Sequence, residues 1–138
     1  MKLPKFRAWD KNTNTIYENI SILPSMECIA INVDYDHDFQ EYCIDESYVV
    51  ELKDVELLEY TGIKDYEGKE IYEGDIVKKE FMEQWLEDTK FIGIVKMIEG
   101  SWCVVNEKKK KCKYLWSETD VNHVIGNIYE NKNLLEEK

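Results

Sequence analysis

Short apolar runs with a two-residue period, cut every few residues by polar or glycine-containing reversals, dominate this chain of 138 residues. Residues 15–20 (TIYENI) and 29–33 (IAINV) alternate apolar and polar positions, as a half-buried strand does. The compact run 5–9 (KFRAW), the polar stretch 10–14 and the run 15–20 together predict an N-terminal hairpin. Another extended segment is expected through Val55, Leu57 and Leu58 to Tyr60. Residues 34–42 (DYDHDFQEY) offer little apolar surface and read as a loop or insertion.

Beyond residue 60 the turn chemistry sharpens. Asp65-Tyr66-Glu67-Gly68 is a four-residue turn with Asp first and Gly last, and Glu73-Gly74-Asp75 is a second reversal feeding a strand from Ile76 and Val77. Residues 90–98 (KFIGIVKMI), Glu99-Gly100 and SWCVV predict another hairpin, with Gly93 marking a bulge or tight bend. A short strand through Tyr114 to Trp116, a turn at 117–120, a last strand (VNHVIGNIY) and a terminal helix or tail (ENKNLLEEK) complete the pattern. Only residues 81–89 approach helical spacing, enough for one or two turns.

Many short strands joined by tight turns predict a mainly β protein. The expected form is a small SH3-like barrel in the C-terminal half, packed with an N-terminal β-hairpin region. The chain reads as one domain: an N-terminal β region at 1–59 with an acidic insertion near 34–48, a barrel region at 60–130, and a tail at 131–138.

Charge adds a constraint. The net charge is −11, and residues 27–59 carry eleven acidic side chains against one basic, Lys53. Such a block repels phosphate and argues against broad nucleic-acid binding. It reads first as a solvated insertion, and second as a surface for a basic partner or a mimic of DNA. Lys108, Lys109, Lys110, Lys111 and Lys113 oppose it. Lysines at a turn and along a strand edge guard against aggregation. The alternative is a low-affinity binding surface for nucleic acid, weakened because Arg7 is the chain's only arginine.

Other classes find little support. No run approaches the roughly 20 apolar residues of a membrane span, and the opening MKLPKFRAWDKN lacks the apolar core of a leader, so a cytoplasmic location is expected. Cys28, Cys43, Cys103 and Cys112 show no C-x-x-C spacing, and Cys103 among Trp102, Val104 and Val105 reads as core. Asp34, Asp36 and Asp38 begin like a calcium loop, but Phe39 and Asp45 break the pattern. Phosphate-binding and nucleophile-elbow motifs are missing. His37 sits in an acidic loop, and His123, flanked by Val121, Val124 and Ile125, reads as structural. No catalytic residue, metal ligand or cofactor is therefore assigned. Trp9, Trp85, Trp102 and Trp116 are core candidates; two tryptophans exposed on one face would instead favour a surface for peptide or single-stranded nucleic acid.

Three segments together resemble the YopX family of phages and prophages: KFRAWDKNT at the start, EYTGIKDYEGKEIYEGDIV in the middle and VIGNIYENKNLL near the end. The residues that carry it are Trp9 and Asp10, then Tyr60, Thr61, Gly62, Asp65, Gly68, Tyr72, Gly74 and Asp75, then Gly126 and Asn127, for all of which a structural role is favoured. Family members often have Gln in place of Glu59 and Pro in place of Lys132. The resemblance implies a β-rich fold with an SH3-like barrel, a phage-borne gene in a bacterial host and no catalytic residues to transfer. The expected function is that of a non-enzymatic binding or adaptor protein acting on a phage or host macromolecule. A nucleic-acid-binding module built on the lysine run, an assembly protein acting through self-association, and a carboxylate- and metal-dependent enzyme are the competing classes.

Overall fold

The computed structural model describes residues 5–18, 20–31, 34–36, 41–43, 49–81 and 90–135, with the side chains of 34–36, 41–43 and 132 outside the description. The chain is mainly β, and among the described residues the helical segments are single 3₁₀ turns. It divides into two compact units, residues 1–59 and 60–138.

In the N-terminal unit, β1 (Phe6–Asp10) pairs antiparallel with β2 (Thr15–Tyr17), in the register Ala8↔Tyr17 to Asp10↔Thr15. This is the hairpin the alternation predicts. Asp10 builds its turn: Oδ1 accepts the N–H of Asn12 at 2.9 Å and of Thr13 at 3.3 Å, while Oδ2 accepts the Tyr17 hydroxyl at 3.0 Å. The other edge of β1 pairs with residues 55–59 of β8 (Val55–Lys64). A second sheet runs in the order β3 (Ile20–Leu23), β4 (Cys28–Ile31), β7 (Val49–Glu51), with the 3₁₀ turn Pro24–Met26 between β3 and β4. Ala8 of β1, Ile29 of β4 and Val55 of β8 form the buried core of the unit, flanked by Tyr17, Ile20, Ile22, Val50 and Leu57.

The acidic middle corrects an expectation. It is not wholly a loop: β5 (Asp34–Asp36) and β6 (Glu41–Cys43) pair antiparallel, with Tyr35 opposite Tyr42. Strand pairing satisfies backbone groups whatever the side-chain charge, which apolar patterning cannot register. The side chains of Asp34 and Asp36, and with them Asp38, the loop histidine His37 and the helical stretch 82–89 with Trp85, lie outside the description.

In the C-terminal unit the second half of β8 pairs with β9 (Glu70–Tyr72). A five-stranded antiparallel sheet follows in the order β13-β12-β11-β10-β14: β10 is Asp75–Phe81, β11 Lys90–Ile98, β12 Ser101–Asn106, β13 Lys111–Tyr114 and β14 Asp120–Asn127. Glu99 and Gly100, at φ 47° and 83°, make the tight β11–β12 turn. The core is Ile71, Val77, Phe91, Val95, Val104 and Leu115. Gly93 marks a close approach of two backbones: a Cβ there would lie 2.5 Å from the Val105 carbonyl oxygen. The strand order has two outer strands, β13 and β14, and does not by itself establish the SH3-like form expected from the sequence.

Candidate functional site

After a start at Asp75 and Ile76 that is buried throughout, β10 alternates from Val77 to Glu80. Val77 and Lys79 are fully buried, whereas Lys78 and Glu80 are partly exposed and paired with each other at 3.1 Å. A lysine thus occupies a core position. Its Nζ donates to Leu115 O at 2.9 Å, Asp120 Oδ1 at 2.8 Å and Asn122 Oδ1 at 2.8 Å. An ammonium has three N–H donors, and all three are used. Asn122 Nδ2 donates to the same Leu115 carbonyl at 2.8 Å, and Leu115 N–H donates to Trp102 O at 2.9 Å. Burial pushes the Lys79 pKa below the usual lysine value, against the opposing hydrogen bond and charge of Asp120.

This node ties β10 and β14 to the segment that follows β13, and that segment borders an open groove. Phe81, Lys113, Tyr114, Trp116 and residues 117–120 line an open groove of about 520 Å³. Tyr114 is 69% exposed and Trp116 63%. The Lys113 ammonium lies 4.9 Å from the Phe81 ring centre and 5.5 Å from that of Phe91, within cation–π range. Ser117 Oγ accepts the Thr119 N–H at 3.2 Å and shapes the turn closing the groove.

The family-motif residues are turn builders and do not converge on one site. Asp65 Oδ1 accepts N–H groups from Glu67 at 3.0 Å and Lys69 at 2.8 Å, and its Oδ2 accepts the Val124 N–H at 3.0 Å. Burial pushes its pKa up, but the three backbone donors outweigh that and hold it below the ordinary value. Gly68, at φ 88°, closes this turn with its N–H on Asp65 O. The Thr61 hydroxyl donates to Ile71 O at 2.8 Å across the irregularity in β8 that contains Gly62. Tyr60 and Tyr72 bring their rings to 5.4 Å. Asp75, almost wholly buried, accepts the Tyr72 N–H at 2.9 Å around Gly74. Asn127 Oδ1 caps Tyr129 and Glu130, and Gly126 leaves room for Asn131, which a Cβ would meet at 2.7 Å. Trp9 is buried in the N-terminal unit.

The lysine run divides between a turn and an edge. Lys108, Lys109 and Lys110 occupy the β12–β13 turn, Lys111 and Lys113 lie on β13, and all five are exposed. Trp116 corrects the expectation that it packs in the core; it follows the end of β13, where its neighbour Leu115 takes the buried position. Trp102 is partly buried against the core, and Cys103 is buried as expected. His123 Nδ1 lies 2.6 Å from Glu67 Oε1 and Nε2 lies 3.6 Å from Glu80 Oε2, which places the ring between two carboxylates and beside Tyr66. Among the described residues no group of three or more His, Cys, Asp or Glu side chains could hold a metal. Lys79 and Tyr114 escaped the sequence reading. The available signal for Lys79 was its inward parity between Val77 and Phe81.

Two solved structures share this fold over nearly the whole chain. Protein EF1440 from Enterococcus faecalis is 23% identical with a TM-score of 0.64, covering 98% of this chain and 99% of that one. Protein yopX from Bacillus subtilis is 23% identical with a TM-score of 0.56, covering 97% and 98%. No curated protein matches the chain at a significant level. The YopX protein family profile matches residues 5–136, and on that match the chain belongs to the YopX family.

Proposed function

We propose that the protein is a non-enzymatic binding protein of the bacterial cytoplasm that engages a phage or host macromolecule through the β13 edge and the groove beside it. The exposed pair Tyr114 and Trp116 beside that groove carries the reading. Large aromatic side chains left in water in a unit with a well-formed core are a cost that a binding surface explains. Further support comes from the carboxylates of the motifs. Asp10, Asp65 and Asp75 accept backbone N–H groups and so serve the fold rather than chemistry.

The test is capture from bacterial lysate on immobilised full-length protein, with and without nuclease, comparing wild type with Trp116→Ala. A nuclease-resistant species held by wild type and lost by Trp116→Ala supports the reading. Identical capture by both proteins, or none by either, overturns it.

A further inference from the structure

The pairing of Leu115 N–H with Trp102 O sets the hydrogen-bond phase of the β12–β13 ladder. In an antiparallel pair, alternate residues bond the partner strand and those between turn their N–H and C=O away. By that alternation Lys111 and Lys113 bond β12, and Cys112 and Tyr114 offer their backbone groups to the outside. Among the described residues no strand of the C-terminal unit pairs with that edge. An open edge is a template for one more strand.

Charge selects among the strands that could add. Residues 108–113 hold five lysines, and the neighbouring Glu107 is taken up by Lys96. A second copy pairing its own β13 here would set lysine against lysine, which is destabilising. An acidic strand would set carboxylates against them. A polynucleotide offers no ladder of amide donors and acceptors for Cys112 and Tyr114, and meets the repulsion of a chain with net charge −11. Tyr114 and Trp116 mark where such a strand would place a large apolar side chain.

We propose that the β13 edge receives an extended acidic segment of a partner protein as a sixth strand, with an apolar side chain of that segment seated in the Tyr114–Trp116 groove. This rests on the binding-protein reading above and adds the chemistry of the partner. The acidic side chains sit at alternate positions, because only those reach the lysine face of the edge.

The probe is a short fluorescein-labelled peptide alternating Glu with Val and ending in Leu, titrated against the full chain by fluorescence anisotropy at low salt. Binding should weaken about tenfold or more in Lys109→Glu/Lys111→Glu. That variant leaves Lys113 over its two rings, and circular dichroism verifies its fold. A peptide with Lys in place of Glu should recover binding to the variant. N-methylation of the alternate peptide N–H groups that face the edge should abolish binding. Equal affinity for the methylated peptide, or tighter binding of an oligothymidylate that displaces the peptide, overturns the proposal. So does a folded chain that ignores the peptide. In that last case, persistence of Trp116-dependent, nuclease-resistant capture leaves the binding-protein reading standing, and its loss removes both.

Discussion

Lys79 and Asn122 face each other directly across β10 and β14, and the ammonium of the first lies 2.8 Å from the carboxamide oxygen of the second. The contact is one of three that make a wholly buried cation tolerable. Taking an ammonium from water is expensive, and only a complete set of acceptors in good geometry offsets it. Asp120 supplies the charge, Asn122 and Leu115 the remaining acceptors.

Breaking the set from one side should therefore cost more than removing the pair. Lys79→Met strands the Asp120 carboxylate, which is only 4% exposed, and is expected to lose about 3–5 kcal/mol. Adding Asp120→Leu to Lys79→Met should recover a large part of that loss. Urea titrations of the two single variants, the double variant and wild type give the coupling directly.

The Asp65 carboxylate should make stability pH-dependent on the acid side. Its folded-state pKa lies below the ordinary 3.8, so the unfolded chain takes up its proton first as pH falls. The stabilising contribution is complete above 3.8 and lost as pH drops through the folded-state value. Asp65→Asn should cost about 1–3 kcal/mol at neutral pH and flatten this part of the profile, as read by thermal melts across the acid range.

Glycine positions separate crowding from backbone strain. Gly93→Ala would push a methyl group to 2.5 Å from a backbone carbonyl and should cost about 1–3 kcal/mol or more, because two strands must move apart. Gly62→Ala has open space around it, and only its φ of 85° opposes the change, for roughly 1 kcal/mol. Chemical denaturation of both variants ranks them.

Trp116→Ala should leave the melting temperature within experimental error, since the side chain is 63% exposed. Leu115→Ala, one residue earlier and fully buried, should lose about 2–5 kcal/mol. A pair of melts distinguishes a surface aromatic kept for binding from a core residue kept for packing.

Much of the fold was legible because its signals are local. Asp10, Asp65 and Asp75 each accept at least one backbone N–H from a residue two to four positions away, so each turn is written in nearby residues. The family resemblance rests on the same segments and names turns rather than a site. The β5–β6 pairing was obscured because acidic side chains concealed a backbone ladder.

By itself the sequence determined a mainly β chain, its reversals at Asp10, Asp65, Gly74 and Gly100, and its family. Only the tertiary structure decided that Lys79 is buried and Trp116 is not. The acceptors of Lys79 come from 36, 41 and 43 residues away. Whether a lysine belongs in a core depends on those distant partners arriving together, and alternation along one strand fixes the direction of a side chain without saying what it will meet.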